Sequence, residues 1–261
     1  MVAIFSNNKE FIFKTVSDMY TDVAQHPDKT FHFPTGRIAC LFVGYPATQL
    51  DAIPDSAPES FAGVGYPFKA GVIKSGATVL DIGSGSGTDA LIASQLVSAT
   101  GKVYALDMTE AMRNKLRANA AKMGANNVEV LEGNTESVPL PNDRVDVVTS
   151  NGVINLVPDK PLSIGEIYRV LKPGGRIQIS DIVLAKPVSE ASRNNPKLWA
   201  ECVVGAVVED DYLALFRAAG FANIEVITHF DYFSGSCNRD KRKVAAGLGA
   251  KTITFTGTKP S

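Results

Sequence analysis

The chain has 261 residues, a formal net charge of −1 and 45% hydrophobic residues, the size and composition of one large soluble domain or a domain with an appendage. That charge balance excludes an obligate nucleic-acid partner and an anionic membrane surface, no apolar run is long enough to span a bilayer, and the N-terminus lacks the basic-then-apolar pattern of a secretory signal. Three widely spaced cysteines, Cys40, Cys202 and Cys237, form neither a disulfide framework nor a zinc site, so the reading expects a reducing cytoplasm and no metal.

In chain order, residues 9–25 place Phe13, Val16, Tyr20 and Val23 three or four apart, which predicts an amphipathic helix. His26-Pro-Asp breaks it, and Phe31 to Arg37 reads as a compact loop. Residues 38–43 and 49–53 read as short helices, followed by an irregular stretch rich in Pro and Gly up to Pro67. Residues 1–70 are therefore expected to form a helical cap or lid, and residues 71–261 the main domain. From residue 78 the pattern alternates. Strands are expected at 78–81, 103–107, 128–131, 145–149, 176–180, 224–227 and 252–256. Helices are expected at 90–97, 111–122, 162–171 and 212–219. This predicts an α/β fold with a doubly wound, mostly parallel seven-stranded sheet. No long helix is expected between the last two strands, so these are read as an antiparallel pair.

The chemistry concentrates at Asp81-Ile-Gly83-Ser84-Gly85-Ser-Gly87. Strand, glycine loop and helix make a site for a nucleotide-like ligand. The third glycine falls one residue earlier than in the dinucleotide fingerprint. Asp81 would repel a pyrophosphate but suits an ammonium or sulfonium, which favours S-adenosylmethionine over NAD. Asp107 ends the second strand about 20 residues further on, where a carboxylate binds ribose hydroxyls in such folds. It also reads as a helix cap. Met108 is placed against the adenine face, and Asn134 with the Thr135 N–H at the adenine edge. The loop after the fourth strand lies across the switch point. It is expected to turn Ser150 and Asn151 to the cofactor and Gly152 and Asn155 to the acceptor. Asp89 and Glu136 are expected to be solvated rather than an acid/base pair, and His32 to stack or cap among aromatics.

These motifs, with Leu171-Lys-Pro-Gly-Gly175 before the fifth strand, resemble class I S-adenosylmethionine-dependent methyltransferases over residues 60–260. Ser150-Asn-Gly-Val-Ile-Asn-Leu156 and Glu201-Cys202-Val-Val-Gly-Ala206 narrow the resemblance to the arsenite methyltransferase group. That resemblance implies a Rossmann-like fold, S-adenosylmethionine as cofactor with S-adenosylhomocysteine as product, and a small-molecule acceptor. It also implies arsenic-binding cysteines at three positions. Cys202 matches one, whereas Gly152 and Val64 stand at the others. The acceptor pocket is thus expected at Val64, Gly152, Asn155 and Cys202, with the acceptor's identity open. Arsenite methylation using a non-standard second thiol and a non-catalytic cofactor-binding protein are the alternatives.

Overall fold

The computed structural model describes residues 6–188, 205–235 and 239–261. Cys202 and Cys237 lie outside them.

The described elements are α1 (Ser6–Gln25), α2 (Gly36–Phe42), α3 (Ala47–Asp51), β1 (Thr78–Ile82), α4 (Thr88–Leu96), β2 (Lys102–Asp107), α5 (Glu110–Met123), β3 (Val128–Glu132), β4 (Val145–Asn151), α6 (Lys160–Val170), β5 (Leu171–Val183), α7 (Glu209–Ala218), β6 (Ala222–Phe230), α8 (Arg239–Leu248) and β7 (Lys251–Thr258). The seven strands form one sheet in the order β3-β2-β1-β4-β5-β7-β6. β3, β2, β1, β4 and β5 run parallel, and β7 is antiparallel to both β5 and β6. This is the expected doubly wound sheet, with the expected antiparallel last pair. The strand order reverses beside β1, which places the crevice for a ligand at its carboxyl end.

Alternation along β1 sorts the two faces. Val79 joins the core beneath α4, which contains Ala90, Leu91 and Ala93. Leu80 and Ile82 join the opposite core with Ile164 and Ile167 of α6 and Tyr212 and Phe216 of α7. Asp81 therefore sits on the α4 face. On the other face the Phe216 ring packs 5.0 Å from Phe255 and 5.4 Å from Tyr212. Burying a side chain of that size contributes about 2–3 kcal/mol.

Two expectations about elements need correction. A ten-residue helix, α8, stands between the last two strands. Its sequence is mostly charged and only Ala245 is buried to the core, so its single apolar stripe is too narrow to read. β5 begins at Leu171 rather than 176, because Leu171 pairs with Val145 before a register shift lets Arg176 pair with Val147.

The N-terminal residues are not a detached unit. Cys40, Val43, Leu50 and Val64 share one core with Val79 and α4, and α1 packs on α5. Tyr45 lies edge-on to Phe61 and Tyr66. His32 meets Phe33 edge-on at 4.7 Å, as expected for an aromatic contact.

Candidate functional site

β1 ends in a loop whose three glycines each have a different reason to be glycine. Gly83, Gly85 and Gly87 all hold positive φ, at 67°, 53° and 104°, a region that L side chains rarely adopt. A side chain at Gly83 would run into Val153, whereas one at Gly87 would meet Leu116 at 3.0 Å. Above Gly85 the nearest atom to such a side chain is Met112 Sδ at 3.9 Å. The loop is therefore packed at both ends and open in the middle.

Asp107 anchors that open middle. Its Oδ2 accepts the Gly85 N–H at 2.8 Å and its Oδ1 accepts the Thr109 N–H at 2.8 Å. Burial raises its carboxyl above the ordinary value, against the pull of those N–H groups. Asp107 braces the start of α5, whose N-cap is Thr109 rather than Asp107, and it lines the cleft. Arg113, buried and missed by sequence, secures the same turn by donating to the carbonyls of Asp107 and Met108.

The cleft encloses about 980 Å³, open mouth included, and is lined by Gly83 to Ser86, Asp107 to Thr109, Gly133 to Thr135, Asn151, Gly152 and Val153, with Phe13, Val16 and Tyr20 of α1 and Phe61 to Gly63 on the facing side. The structure thus brings Gly83, Ser84, Gly85, Asp107, Met108, Asn134, Thr135, Asn151 and Gly152 together. Asn134 Oδ1 accepts the Glu136 N–H at 2.9 Å, and Thr135 Oγ1 is buried without a protein partner.

Other expected residues stand elsewhere. Gly87 caps α4 and packs on Leu116, behind the lining. Asp81 lies below the loop on the α4 face, one oxygen unpartnered. Ser150 is 0% exposed. It pairs across the sheet with Ile82 and Ile179, so it does not reach the cofactor cleft. Asn155 is also 0% exposed. Its backbone N–H donates to Asp181 Oδ2 at 2.9 Å, and it does not line the cleft. Val64 is 1% exposed and stands behind Gly152. A side chain at Gly152 would meet its methyls at 3.1 Å and 3.3 Å. Positions 64 and 152 are therefore neighbours, and Val64 occupies the space that Gly152 leaves.

Asp89 and Glu136 are not solvated. They do not form a pair, as expected, but both are buried. Glu136, 9% exposed, accepts the Asp159 N–H at 3.0 Å and pairs with Lys9 of α1. Asp89 is 5% exposed. It accepts a hydrogen bond from the Tyr45 hydroxyl and one from Asn151 Nδ2 at 3.2 Å. Asn151 also donates to Tyr45 and to the Gly65 carbonyl, and its Oδ1 accepts the N–H groups of Val64 and Gly65. Asn151 lines the cleft, yet its side chain is a clamp between the N-terminal segment and α4.

Beneath the acceptor loop, Asp181 accepts from the Tyr212 hydroxyl at 2.7 Å. Burial pushes its carboxyl up to about 6, with Tyr212 and two backbone N–H groups pulling the other way. This network fixes the loop from below and lies outside the cleft.

The cleft fits S-adenosylmethionine. Among the described residues its only charged lining side chains are Asp89 and Asp107, which suit a cationic ligand. Thr135 lines the cleft, and its Oγ1 is buried without a protein partner, which leaves it available to a ligand. The sequence profile of the methyltransferase domain matches residues 73–220, more than half the chain. The chain belongs to the methyltransferase domain family. Its cofactor is S-adenosylmethionine.

Similar proteins sharpen this placement. The chain is 40% identical over 184 residues to an arsenite methyltransferase of Halobacterium salinarum, covering 70% of this chain and 47% of that protein. It is 38% identical over 122 residues to a ubiquinone/menaquinone biosynthesis C-methyltransferase of Escherichia coli, covering 45% of this chain and 47% of that one. The chain spans about half the length of the curated relatives it matches. Among solved structures, an arsenic(III) S-adenosylmethionine methyltransferase from Chlamydomonas reinhardtii superposes with a TM-score of 0.66 at 29% identity, over 87% of this chain and 74% of that one. No helix among the described residues is long and apolar enough to cross a membrane.

Proposed function

We propose that the chain transfers a methyl group from S-adenosylmethionine to a small-molecule acceptor, and does so in the cytoplasm. The observation that carries this reading is the acidic cleft at the glycine loop, lined by Asp89 and Asp107, with the buried, unpartnered Oγ1 of Thr135. In this reading Gly83 to Gly85 and Asp81 hold the methionine end, Asp107 the ribose, and Met108, Asn134 and Thr135 the adenine. The cofactor supplies a methyl group on a positive sulfonium and leaves as S-adenosylhomocysteine.

The protein's contribution is then orientation and exclusion of water. Holding two reactants in line supplies several kcal/mol of the barrier. Residues 1–70 act as the cap and residues 71–261 as the cofactor-binding domain. Phe13, Val16 and Tyr20 of α1 wall the cleft, which supports the cap assignment.

The similarity to arsenite methyltransferases favours As(III) as a second reading. Against it, the neighbouring positions 64 and 152 hold a valine and a glycine, and soft As(III) prefers several thiolates. Turnover of S-adenosylmethionine to S-adenosylhomocysteine on thiol, phenol and arsenite acceptors, for the wild type and Cys202→Ser, separates the readings. Turnover on an organic acceptor that survives Cys202→Ser supports the first. Turnover on arsenite alone, abolished by Cys202→Ser, supports the second. No turnover on any acceptor contradicts both.

A further inference from the structure

We propose that Asn119 is a positioning residue for the glycine loop, and that through it the segment at Ser56 and Ala57 sets the geometry in which the loop meets the methionine end of S-adenosylmethionine. This rests on the reading above that the cleft takes S-adenosylmethionine.

The buried stripe of α5 consists of Met112, Arg113, Leu116 and Asn119. Three of these meet the glycine loop. A side chain at Gly85 would face Met112, and one at Gly87 would face Leu116. Between those two glycines the Ser86 carbonyl accepts from Asn119 Nδ2 at 2.9 Å. Asn119 is 1% exposed. Asparagine is a weak helix former, and packing alone would place an apolar residue at the end of this stripe. Its bonds explain its place. Besides the Ser86 carbonyl, it meets the Ser56 hydroxyl, which donates to Asn119 Oδ1 at 2.5 Å and itself accepts from Lys122 Nζ at 3.0 Å. Ser86 in turn donates its hydroxyl to the Ala57 carbonyl at 2.6 Å, and Thr88 Oγ1 donates to the same carbonyl at 3.1 Å. A ring of bonds thus runs through Ser56, Asn119, Ser86 and Ala57, and it closes through the peptide bond between residues 56 and 57. One turn earlier on α5, Lys115 adds a tie to Ser60 of the same segment at 2.9 Å.

The glycines on either side of Ser86 give this ring its consequence. Glycine has the widest backbone freedom of any residue, and a loop that must be ordered on binding loses affinity to that ordering. Gly85 is held by Asp107. Ser86 is held at two atoms: Asn119 fixes its carbonyl, and so the peptide leading into Gly87, while Ala57 fixes its hydroxyl. Ser86 and the three residues before it line the cleft, whereas Asn119 does not. Asn119 therefore acts through Ser86, and the loop meets its ligand already ordered.

The test is calorimetry of the full chain with two ligands, S-adenosylhomocysteine and methylthioadenosine. The second shares the adenosine and the sulfur but lacks the amino-acid end. Asn119→Leu keeps the size of the side chain and removes both of its bonds. It is expected to weaken S-adenosylhomocysteine about tenfold and methylthioadenosine less than about threefold. A general loss of stability moves both ligands together, so the ratio of the two affinities is the readout. Ser56→Ala removes only the outer bond of the ring, and it is expected to shift the same ratio in the same direction by about threefold. If Asn119→Leu weakens both ligands by one factor, or neither, the assignment of Asn119 is overturned while the cofactor reading stands. If Asn119→Leu does not fold, Ser56→Ala decides, and an unshifted ratio overturns the assignment. If the wild type binds neither ligand, the cofactor reading falls and this one with it.

Discussion

At the scale of single residues, Gly152 and Val64 are packed against one another. Gly152 holds a φ of 75°, and Val64 fills the space where its side chain would stand. Gly152→Cys should therefore destabilise the chain by about 1–3 kcal/mol, read as a lower melting temperature, and Val64→Ala in the same chain should recover only part of it, because the backbone strain stays. An unchanged melting temperature for Gly152→Cys would contradict this packing. The glycines and Asp107 were legible because strand, glycine loop, helix and an acidic residue at the end of the next strand form a recurrent sequence pattern. Asp107 reaches Gly85 and Thr109 across one strand and one turn. Asp89 was misread because its partners are distant in sequence: Tyr45 lies 44 positions before it and Asn151 62 positions after it. A short polar side chain at a helix start ordinarily caps or faces water. Here Thr88 to Ser94 are all buried, between the sheet and the N-terminal segment, so Asp89 has no water to face. The same reason inverts Ser150 and Asn155. Each reads as a polar group in a ligand loop, and each is buried and does not line the cleft.

At the scale of elements, α1 is the part whose contribution to the site was visible only in outline. Its apolar spacing predicts a helix, and that helix forms. The face carrying Phe13, Val16 and Tyr20 walls the cleft rather than only packing on α5. Lys9, near its start, pairs with Glu136 on the far rim, next to Asn134 and Thr135. If α1 is a cap that opens for exchange, this pair latches it. Lys9→Ala should then raise the dissociation rate of S-adenosylmethionine several-fold in a stopped-flow displacement experiment. Because Glu136 is buried, the variant should also lower the melting temperature by more than the loss of a surface ion pair does. A dissociation rate equal to the wild type's would contradict the latch. α8 was missed for the opposite reason. Its sequence, Arg239-Asp-Lys-Arg-Lys-Val244, is polar on nearly every side, and a helix with one thin apolar stripe carries little periodic signal.

At the scale of the whole molecule, the sheet was the most legible feature. Apolar runs bounded by glycine and proline, alternating with helical periods, leave few topologies once right-handed crossovers are required. The reversed β7 was legible too, from the short connection it seemed to have, although the connection in fact contains α8. The N-terminal segment was legible as helical. That it shares a core with β1 and α4 was not, because no local pattern records which distant surface a buried Leu50 or Cys40 meets. That shared core is what puts Tyr45 beside Asp89 and makes one cleft out of two ends of the chain.

The central claim is that this cleft takes a cationic methyl donor and not a dinucleotide. Calorimetric titration of the chain with S-adenosylmethionine, S-adenosylhomocysteine and NAD tests it most directly. The account predicts a single site per chain that S-adenosylmethionine and S-adenosylhomocysteine compete for, weakened roughly tenfold or more by Asp107→Ala, and no saturable heat with NAD. Saturable binding of NAD with none of S-adenosylmethionine, or an affinity for S-adenosylmethionine unmoved by Asp107→Ala, would contradict it.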